Sequence, residues 1–327
     1  SAFQTTFYTP CPTPIRSRFM FTLKTDNDRL LLASPDLRAE IYLYGGLLNR
    51  YEIRRPDGTW FNIVKAYDTP QHARKSLTEW FRSGKLSPYA CRLRHGKYSF
   101  DGKAYQCGKF KLAEHAAHGL MYNREFALVN SHSDDQSAEV EIRADYAQDD
   151  SGYPFPFSLT VRYRLSADGL SIRSTVRNQG ATAMPLADGW HPYFTLGGKA
   201  DDWSLEIDSS KRLGFDADLV PDGSMIDDTR FQTTSSLAGI ELDNSFVLAR
   251  SKPAACTLSG NGLTLSIYPD TSYPYLQIFT PSTRDTIAIE NLSGAPDCFN
   301  NGLGLIKLDA GEEAAFETRY HIAANRP

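Results

Sequence analysis

The feature that most constrains the fold is an alternation of apolar and polar residues with a period of two. Segment 157–178, FSLTVRYRLSADGLSIRSTVRN, reads as two such runs joined across Asp168-Gly169. Because the side chains of a strand point alternately to opposite faces, the pattern is typical of strands with one buried face. Asp-Gly supplies the positive φ angles that a tight hairpin turn needs. The segment therefore predicts an antiparallel hairpin.

The same signals recur along the chain. Asp57-Gly58 and Asp101-Gly102 predict two more hairpins. Further strands are predicted at 138–147, 203–209, 263–269, 275–280, 286–292 and 314–322. With many Gly and Pro as turn residues and no linker or repeat, residues 1–327 are predicted to form a single large all-β domain, a sandwich or barrel. Residues 1–28 are predicted to be an N-terminal extension or first strand, and 69–85 a short helix.

Charge and composition narrow the classes of partner. A formal net charge of −4 argues against a nucleic-acid-binding surface, and no apolar run is long enough to predict a membrane span. Residues 1–19 do not have the pattern of an intact signal peptide. Five scattered cysteines without CxxC spacing predict free, mostly buried thiols in a reducing, cytoplasmic setting, and no zinc site.

Two histidine segments and one glutamate are candidates for chemistry. His191 is followed by Pro192, which restrains its backbone to extended geometry, and aromatic residues surround it. On the residues alone, a packed core histidine and a proton-transferring histidine are equally good interpretations. His118 precedes a glycine and competes with His115 for a role in the same segment. Glu290 should lie on the strand face opposite its isoleucine neighbours, where an ordinary exposed glutamate is the commoner outcome.

A resemblance to a known family connects these segments. They are, in order, IYLYGGLLNRYEI (41–53), LSPYACRLRHGKYSFDGKAYQ (86–106), HGLMYNREF (118–126), GWHPYF (189–194), LDNSFVL (242–248) and the closing block from YPYLQIF to GEEAAF (273–316). Over roughly residues 30 to 322 the chain resembles the aldose 1-epimerase (galactose mutarotase) family. GWHPYF differs from the Asn-His-Thr/Ser-Tyr-Phe of galactose-specific members and is similar to divergent branches of the family.

The resemblance implies a galactose mutarotase-like β-supersandwich and interconversion of the α and β anomers of a hexose by ring opening. It implies that Glu290 is the base, that His191 is the acid, and that His118 holds the substrate near the ring oxygen. Arg92 and Asp243 would bind sugar hydroxyls. Tyr193, Trp190 or Tyr122 could stack on the sugar. Catalysis requires an ionised Glu290 and a protonated His191, and we expect their mutual field to raise the pKa of the histidine. No metal or organic cofactor is implied.

Two alternatives stay open on the sequence. One is a hexose-6-phosphate mutarotase, which needs basic groups at one end of the cleft; Arg92, Arg94, His95 and Lys97 are the candidates. The other is a non-catalytic carbohydrate-binding protein on the same fold. A free aldohexose is the preferred substrate, and the protein is expected to be a monomer or homodimer.

Overall fold

A computed structural model describes residues 21–325. Within them the strands are β1 (Thr22–Thr25), β2 (Arg29–Ala33), β3 (Leu37–Tyr42), β4 (Leu48–Arg54), β5 (Trp60–Asn62), β6 (Gly84–Leu86), β7 (Arg92–Leu93), β8 (Lys97–Phe100), β9 (Lys103–Gln106), β10 (Lys111–Leu112), β11 (His115–Ala117), β12 (Ala127–Ser133), β13 (Ser137–Tyr146), β14 (Phe157–Ser166), β15 (Gly169–Asn178), β16 (Met184–Leu186), β17 (Gly189–His191), β18 (Tyr193–Phe194), β19 (Ser204–Ile207), β20 (Lys211–Phe215), β21 (Pro221–Asp227), β22 (Ser235–Ser236), β23 (Asp243–Val247), β24 (Cys256–Gly260), β25 (Leu263–Pro269), β26 (Tyr275–Phe279), β27 (Ile287–Leu292), β28 (Ile306–Leu308) and β29 (Glu313–Ala324). The helices are α1 (Pro70–Trp80) and α2 (Cys298–Asn301), with 3₁₀ turns at Arg94–Gly96 and Ala200–Asp202.

The predicted hairpins are confirmed. β14 and β15 pair antiparallel in a ladder that closes at Ser166 opposite Gly169, so the two-residue turn is Ala167-Asp168, one residue before the predicted Asp168-Gly169. β4 with β5 and β8 with β9 form the other two hairpins. Each of the further strands that the alternation predicts is present as well. Of the predicted N-terminal extension, residues 1–20 lie outside the described residues, and β1 lies in the remainder.

Two large sheets dominate the described part of the chain. One has nine strands in the order β12-β13-β14-β15-β29-β25-β24-β19-β22. The other has eight, in the order β21-β20-β23-β26-β27-β17-β6, with β18 paired to β27. β1 to β5 form a five-stranded sheet in chain order. The all-β prediction is therefore confirmed.

The apolar faces of the sheets share one core. Trp190 of the eight-stranded sheet contacts Tyr163 of the nine-stranded sheet edge to face, with ring centroids 6.2 Å apart. Phe194 meets Tyr320 in the same way at 5.3 Å. Tyr51 of the five-stranded sheet donates a hydrogen bond to the carbonyl of Tyr320 at 3.1 Å. These contacts join the three sheets into one sandwich, which agrees with the single-domain prediction.

The predicted helix is present but shorter than 69–85. Thr69 caps its N-terminus by accepting a hydrogen bond from the amide of His72 at 3.0 Å, and Pro70 follows as the first helical residue. The helix ends where Phe81 turns into the left-handed region at φ 51°. The reversal lets the chain enter β6, and it leaves Trp80 with 42% of its surface exposed.

Candidate active site

One face of the eight-stranded sheet carries a row of polar side chains. Asp243, Gln277, Glu290 and His191 lie on β23, β26, β27 and β17, which are neighbours in that order. The row forms the floor of a cavity of about 230 Å³. Its walls are Thr78, Glu79, Trp80, Phe81, Cys91, Arg92, Leu112, His118, Tyr193, Phe215, Leu219, Phe279 and Pro296.

Glu290 is held in the cavity floor by the alternation of β27. Asn291, on the other face of the strand, donates a hydrogen bond to Thr318 of the nine-stranded sheet at 3.2 Å. Glu290 consequently points away from the core and into the cleft, as the sequence predicts. It is not the exposed glutamate that the alternative interpretation required, because only 2% of its surface is exposed.

His191 lies beside Glu290 on the adjacent strand. Its Nε2 is 3.4 Å from Oε1 of Glu290. The ring of Tyr193 stacks on the imidazole with centroids 5.0 Å apart. The His191 carbonyl accepts a hydrogen bond from the amide of Ser83 at 2.8 Å. Backbone pairing and ring stacking together fix the imidazole against the carboxylate.

The geometry distinguishes His118 from His115. His118 lines the cleft, with its ring centroid 5.3 Å from that of His191. His115 faces away, because it accepts a hydrogen bond from the amide of His95 at 3.0 Å and its Nε2 is 3.8 Å from Asp218. His118 adopts φ 62°, a strained conformation for a residue with a side chain.

Arg92 and Asp243 complete the polar lining. Asp243 accepts a hydrogen bond from Nε2 of Gln277 at 2.7 Å. Burial raises the pKa of Asp243, and the charge of Arg92 acts against that rise. Within residues 21–325 Arg92 forms no ion pair, so its guanidinium keeps donors for a ligand in the cleft.

Burial shifts the pKa values of His191 and Glu290 in opposite directions. It lowers the pKa of His191 to about 4. It also raises the pKa of Glu290 well above its ordinary value, and the charge of Asp243 adds to that rise. The expectation that the field of Glu290 raises the pKa of His191 is therefore wrong, because desolvation of the imidazole is the larger effect. Burial therefore favours the uncharged forms of both groups, a protonated glutamate and a neutral histidine.

The pKa of His118 shifts in the same direction as that of His191. Burial lowers it well below its usual range, and the charges of His191 and Arg92 lower it further. His118 is therefore neutral near pH 7 and can offer one donor and one acceptor nitrogen.

Two residues expected at the sugar-binding surface are not in the cleft. Trp190 alternates with His191 along β17, so its side chain enters the core, where its ring lies 4.2 Å from the ammonium of Lys85. Tyr122 packs behind Phe81, with ring centroids 5.0 Å apart. Of the three aromatic residues considered for stacking, Tyr193 alone lines the cavity.

The other basic residues considered for a phosphate do not converge on the cleft with Arg92. Arg94 pairs with Asp216 and Asp218, the latter at 3.1 Å. His95 is 3.6 Å from Glu114. Lys97 lines a separate cavity beside Tyr105 and Phe299. Their positions give the phosphate hypothesis no support.

Sequence reasoning missed a buried ion pair beneath the site. Lys85 and Asp188 are fully buried, with Nζ 2.6 Å from Oδ2. The same carboxylate oxygen accepts a hydrogen bond from Tyr273 at 2.8 Å. Burial lowers the pKa of Lys85 to about 8. The pair lies under the strand that carries His191, since Lys85 is opposite Trp190 in the β6–β17 ladder.

The cleft also contains residues that no sequence signal singled out. Trp80 reaches it from the end of α1, and Gln277 from the middle of β26. The thiol of Cys91 lies 4.0 Å from Oε2 of Glu290. The four cysteines within residues 21–325 are free thiols, as predicted, and Cys11 lies outside that range. No group of three or more potential metal ligands occurs in the part of the chain that the structure describes.

A family model matches most of the chain. The model of the family described as aldose 1-epimerase matches residues 28–321. Among curated proteins, YihR of Escherichia coli K12, described as uncharacterized, is 27% identical over 237 residues, which is 69% of this chain and 74% of that protein. YphB of the same organism, also described as uncharacterized, is 34% identical over 112 residues, 34% of this chain and 36% of that protein.

Solved structures share the architecture. A galactose mutarotase-like protein from Clostridium acetobutylicum superposes with a TM-score of 0.83 at 17% identity, covering 94% of this chain and 100% of that one. The galactose 1-epimerase from Lactobacillus acidophilus NCFM gives 0.77 at 19% identity, covering 94% and 98%. At these identities the likeness establishes the fold.

The family match identifies an enzyme of the isomerase class, and its fold is the galactose mutarotase-like sandwich. The chain belongs to the aldose 1-epimerase family. Its substrate class is therefore a small sugar. Among the described residues no helix is both long and apolar enough to cross a membrane.

Proposed function

We propose that the protein interconverts the α and β anomers of a free aldohexose, with Glu290 and His191 as the acid–base pair. The observation that carries the proposal is the 3.4 Å separation between His191 Nε2 and Glu290 Oε1 at the floor of an open cleft. Mutarotation moves protons between two oxygens bonded to the same carbon, the C1 hydroxyl and the ring oxygen. Two adjacent groups that hold one proton between them can remove a proton from one of these oxygens and deliver a proton to the other.

The proton steps balance over one cycle. Glu290 as base removes the proton of the C1 hydroxyl while His191 as acid protonates the ring oxygen, and the C1–ring oxygen bond breaks. This leaves a protonated Glu290, a neutral His191 and an open-chain aldehyde. After rotation about C1–C2, the ring hydroxyl attacks the other face of the carbonyl. His191 takes the proton of that hydroxyl, and Glu290 returns its proton to the C1 oxygen.

The electrostatics of the site favour the middle of this cycle. Burial disfavours a charged pair, as the lowered pKa of His191 and the raised pKa of Glu290 both indicate. The neutral pair is the state that accompanies the open-chain sugar. The same preference holds before the ring opens, so the cycle starts when the shared proton moves from Glu290 to His191 across the 3.4 Å between Oε1 and Nε2.

The remaining polar groups would hold the sugar. His118, adjacent to His191, would hydrogen-bond the ring oxygen or a neighbouring hydroxyl. Arg92 and Asp243 would bind hydroxyls through charged hydrogen bonds, which are stronger than neutral ones. Tyr193 would contact the sugar from the His191 side. Galactose and glucose are both candidate substrates, and we place the enzyme in the cytoplasm on account of its free thiols.

The direct test follows the anomers of fresh α-D-galactose and α-D-glucose by polarimetry, with the uncatalysed rate subtracted. Glu290→Gln and His191→Asn should each lower kcat by about 10²–10⁴-fold, the usual contribution of a positioned acid or base. His115→Asn, which alters a buried histidine outside the cleft, is the matched control and should retain activity. Near wild-type rates for both cleft variants would overturn the assignment. Sugar binding without turnover by the wild-type protein would identify a binding protein instead.

A further inference from the structure

A second, smaller cavity lies next to the catalytic cleft. It measures about 120 Å³ and is lined by Lys65, Trp80, Arg82, Tyr193, Pro281, Thr283, Asp285 and Thr286. Trp80 and Tyr193 also line the cleft. The two cavities are thus neighbours with a shared aromatic border.

The walls of this side cavity combine donors and acceptors of hydrogen bonds. Lys65 Nζ lies 2.9 Å from Oδ2 of Asp285, and the hydroxyl of Thr283 donates to the other oxygen of that carboxylate at 2.6 Å. Arg82 is half-buried and has no carboxylate partner among the residues that the structure describes. Mixed charged donors and acceptors beside an aromatic surface match a hydroxylated ring, whose faces are apolar and whose rim is polar.

The carboxylate of Asp285 argues against a phosphate as the occupant. It neutralises Lys65, and a dianion placed beside it would be repelled. Trp80 is the exposed aromatic residue of the border, at 42% exposure, so part of its surface is available to a ligand. A second sugar ring satisfies both observations.

The position of the side cavity indicates which carbon of the substrate would carry that ring. In the proposed reaction His191 protonates the ring oxygen, which is bonded to C5, and C5 carries C6. Tyr193 stacks on His191 at 5.0 Å and borders the side cavity. A sugar bound with C5 on the Tyr193 side of His191 would therefore direct C6 towards the side cavity.

We propose that the side cavity is a subsite for a second pyranose linked to O6 of the reacting sugar, so that reducing 1→6-linked disaccharides are substrates. The inference rests on the proposed function. Specificity for the second ring would come from Lys65, Arg82 and Asp285, and Trp80 would stack on that ring.

The experiment compares gentiobiose with cellobiose, which contain the same two glucose units joined β-1→6 and β-1→4. Exchange NMR between the α and β anomeric protons of the reducing unit gives kcat/KM at equilibrium, with glucose and glucose 6-phosphate measured alongside. Gentiobiose should exceed cellobiose by about tenfold or more, the discrimination that one or two good hydrogen bonds provide. Lys65→Gln and Arg82→Gln should each lower the gentiobiose-to-glucose ratio by about tenfold.

Lys307→Gln is the matched control, because Lys307 forms a comparably exposed pair with Asp101 at 2.7 Å and lines neither the cleft nor the side cavity. It should leave the ratio unchanged. Equal rates for the two disaccharides, or a ratio that Lys65→Gln and Arg82→Gln do not move, would overturn the subsite. A preference for glucose 6-phosphate would also overturn it and assign the cavity to an anion. Failure on every sugar, glucose included, would instead reject the proposed function.

Discussion

Glu290 and His191 share a proton in a place where neither ionised form is well solvated. The cycle needs one proton on the pair, because a doubly protonated pair has no base and a fully deprotonated pair has no acid. Because burial lowers the pKa of His191 and raises that of Glu290, the pair carries a single proton between those two pKa values, and that proton resides mainly on Glu290. Interacting groups titrate as a unit, so the two limits belong to the pair.

A bell-shaped dependence of kcat/KM on pH follows from this. Activity should fall as the pH drops through about 4, where His191 takes up a proton while Glu290 still holds one. It should fall again above the ordinary range of a carboxyl group, where Glu290 loses the last proton. Polarimetry across pH 3 to 10, corrected for acid- and base-catalysed background, measures both limbs. An acid limb centred near the ordinary pKa of histidine, about 6.5, would contradict the burial argument.

Lys85 provides a second prediction at this scale. In Lys85→Met the carboxylate of Asp188 would be left buried without its cation, which typically costs about 3–5 kcal/mol of unfolding free energy. The unpaired Asp188 would have a raised pKa in the folded state, so folding would favour its protonation. The deficit should therefore shrink as the pH is lowered and grow as it rises. Urea denaturation at pH 5 and pH 8 measures it.

The double variant Lys85→Met, Asp188→Asn is the control for that measurement. It removes the buried charge and should recover part of the loss, with a weaker dependence on pH. If Lys85→Met costs less than about 0.5 kcal/mol, as an ordinary surface change does, the ion pair has no structural importance.

At the residue scale, the sequence predicts the strand face on which a side chain lies better than it predicts the burial and pKa of that side chain. The alternation of β27 placed Glu290 on the correct face, and the glycine after His118 separated it from His115. The prediction for Trp190 was wrong. Trp190 was expected in the cleft together with its neighbour His191, but adjacent residues of a strand point to opposite faces. The pKa directions were not predictable, since burial depends on which strands flank β17 and β27. Lys85 and Asp188 lie too far apart in the chain for their pairing to be inferred.

At the scale of elements, the cleft depends on a close approach between two segments that are not strands. The amides of Leu120 and Met121 donate to the carbonyl of Ser87 at 2.7 and 3.2 Å. Gly119, between them and His118, has φ +73°, and a Cβ there would lie 2.3 Å from the Ser87 carbonyl oxygen. These hydrogen bonds hold residues 118–121 against residues 87–92, which connect β6 to Arg92.

Gly119→Ala should accordingly destabilise the protein and impair the site. Left-handed backbone costs an alanine about 1–2 kcal/mol, and the clash with Ser87 adds to it. Gly102→Ala is the matched control, because Gly102 has φ +76° and a Cβ there would meet no other heavy atom within 4 Å. Urea denaturation should show a larger loss for Gly119→Ala, and polarimetry a loss of activity for that variant alone. Equal losses of stability would show that φ, and not the contact, is responsible.

Local elements were largely predictable, and their assembly was not. Hairpins such as β14–β15 form between neighbours in the chain, so turn chemistry and alternation suffice to find them. β17 pairs with β6 and β27, strands about a hundred residues away on either side. No local pattern specifies such partners; the resemblance to the family supplied the prediction that Glu290 and His191 meet.

At the scale of the whole molecule, β29 joins the two halves of the nine-stranded sheet. β29 pairs with β15 along one edge and with β25 along the other, so it lies in the interior of the nine-stranded sheet. Its buried residues recur with a period of two at Phe316, Thr318, Tyr320 and Ile322. Thr318 accepts the hydrogen bond of Asn291, the residue next to Glu290. The strand that carries Glu290 thus depends on β29, which follows it in the chain.

Because the cleft lies on a sheet of the common core, we expect activity and β-structure to be lost together on unfolding. Phe316→Ala tests this: Phe316 is 1% exposed, its ring centroid is 5.7 Å from that of Tyr273, and its truncation should cost about 3–5 kcal/mol. The midpoints of activity loss and of far-UV circular dichroism in urea should move down by the same amount. Val129→Ala, at a side chain 51% exposed on the edge strand β12, should change the unfolding free energy by less than about 0.5 kcal/mol. If activity disappears at a clearly lower urea concentration than the circular dichroism signal, the site unfolds independently of the sandwich.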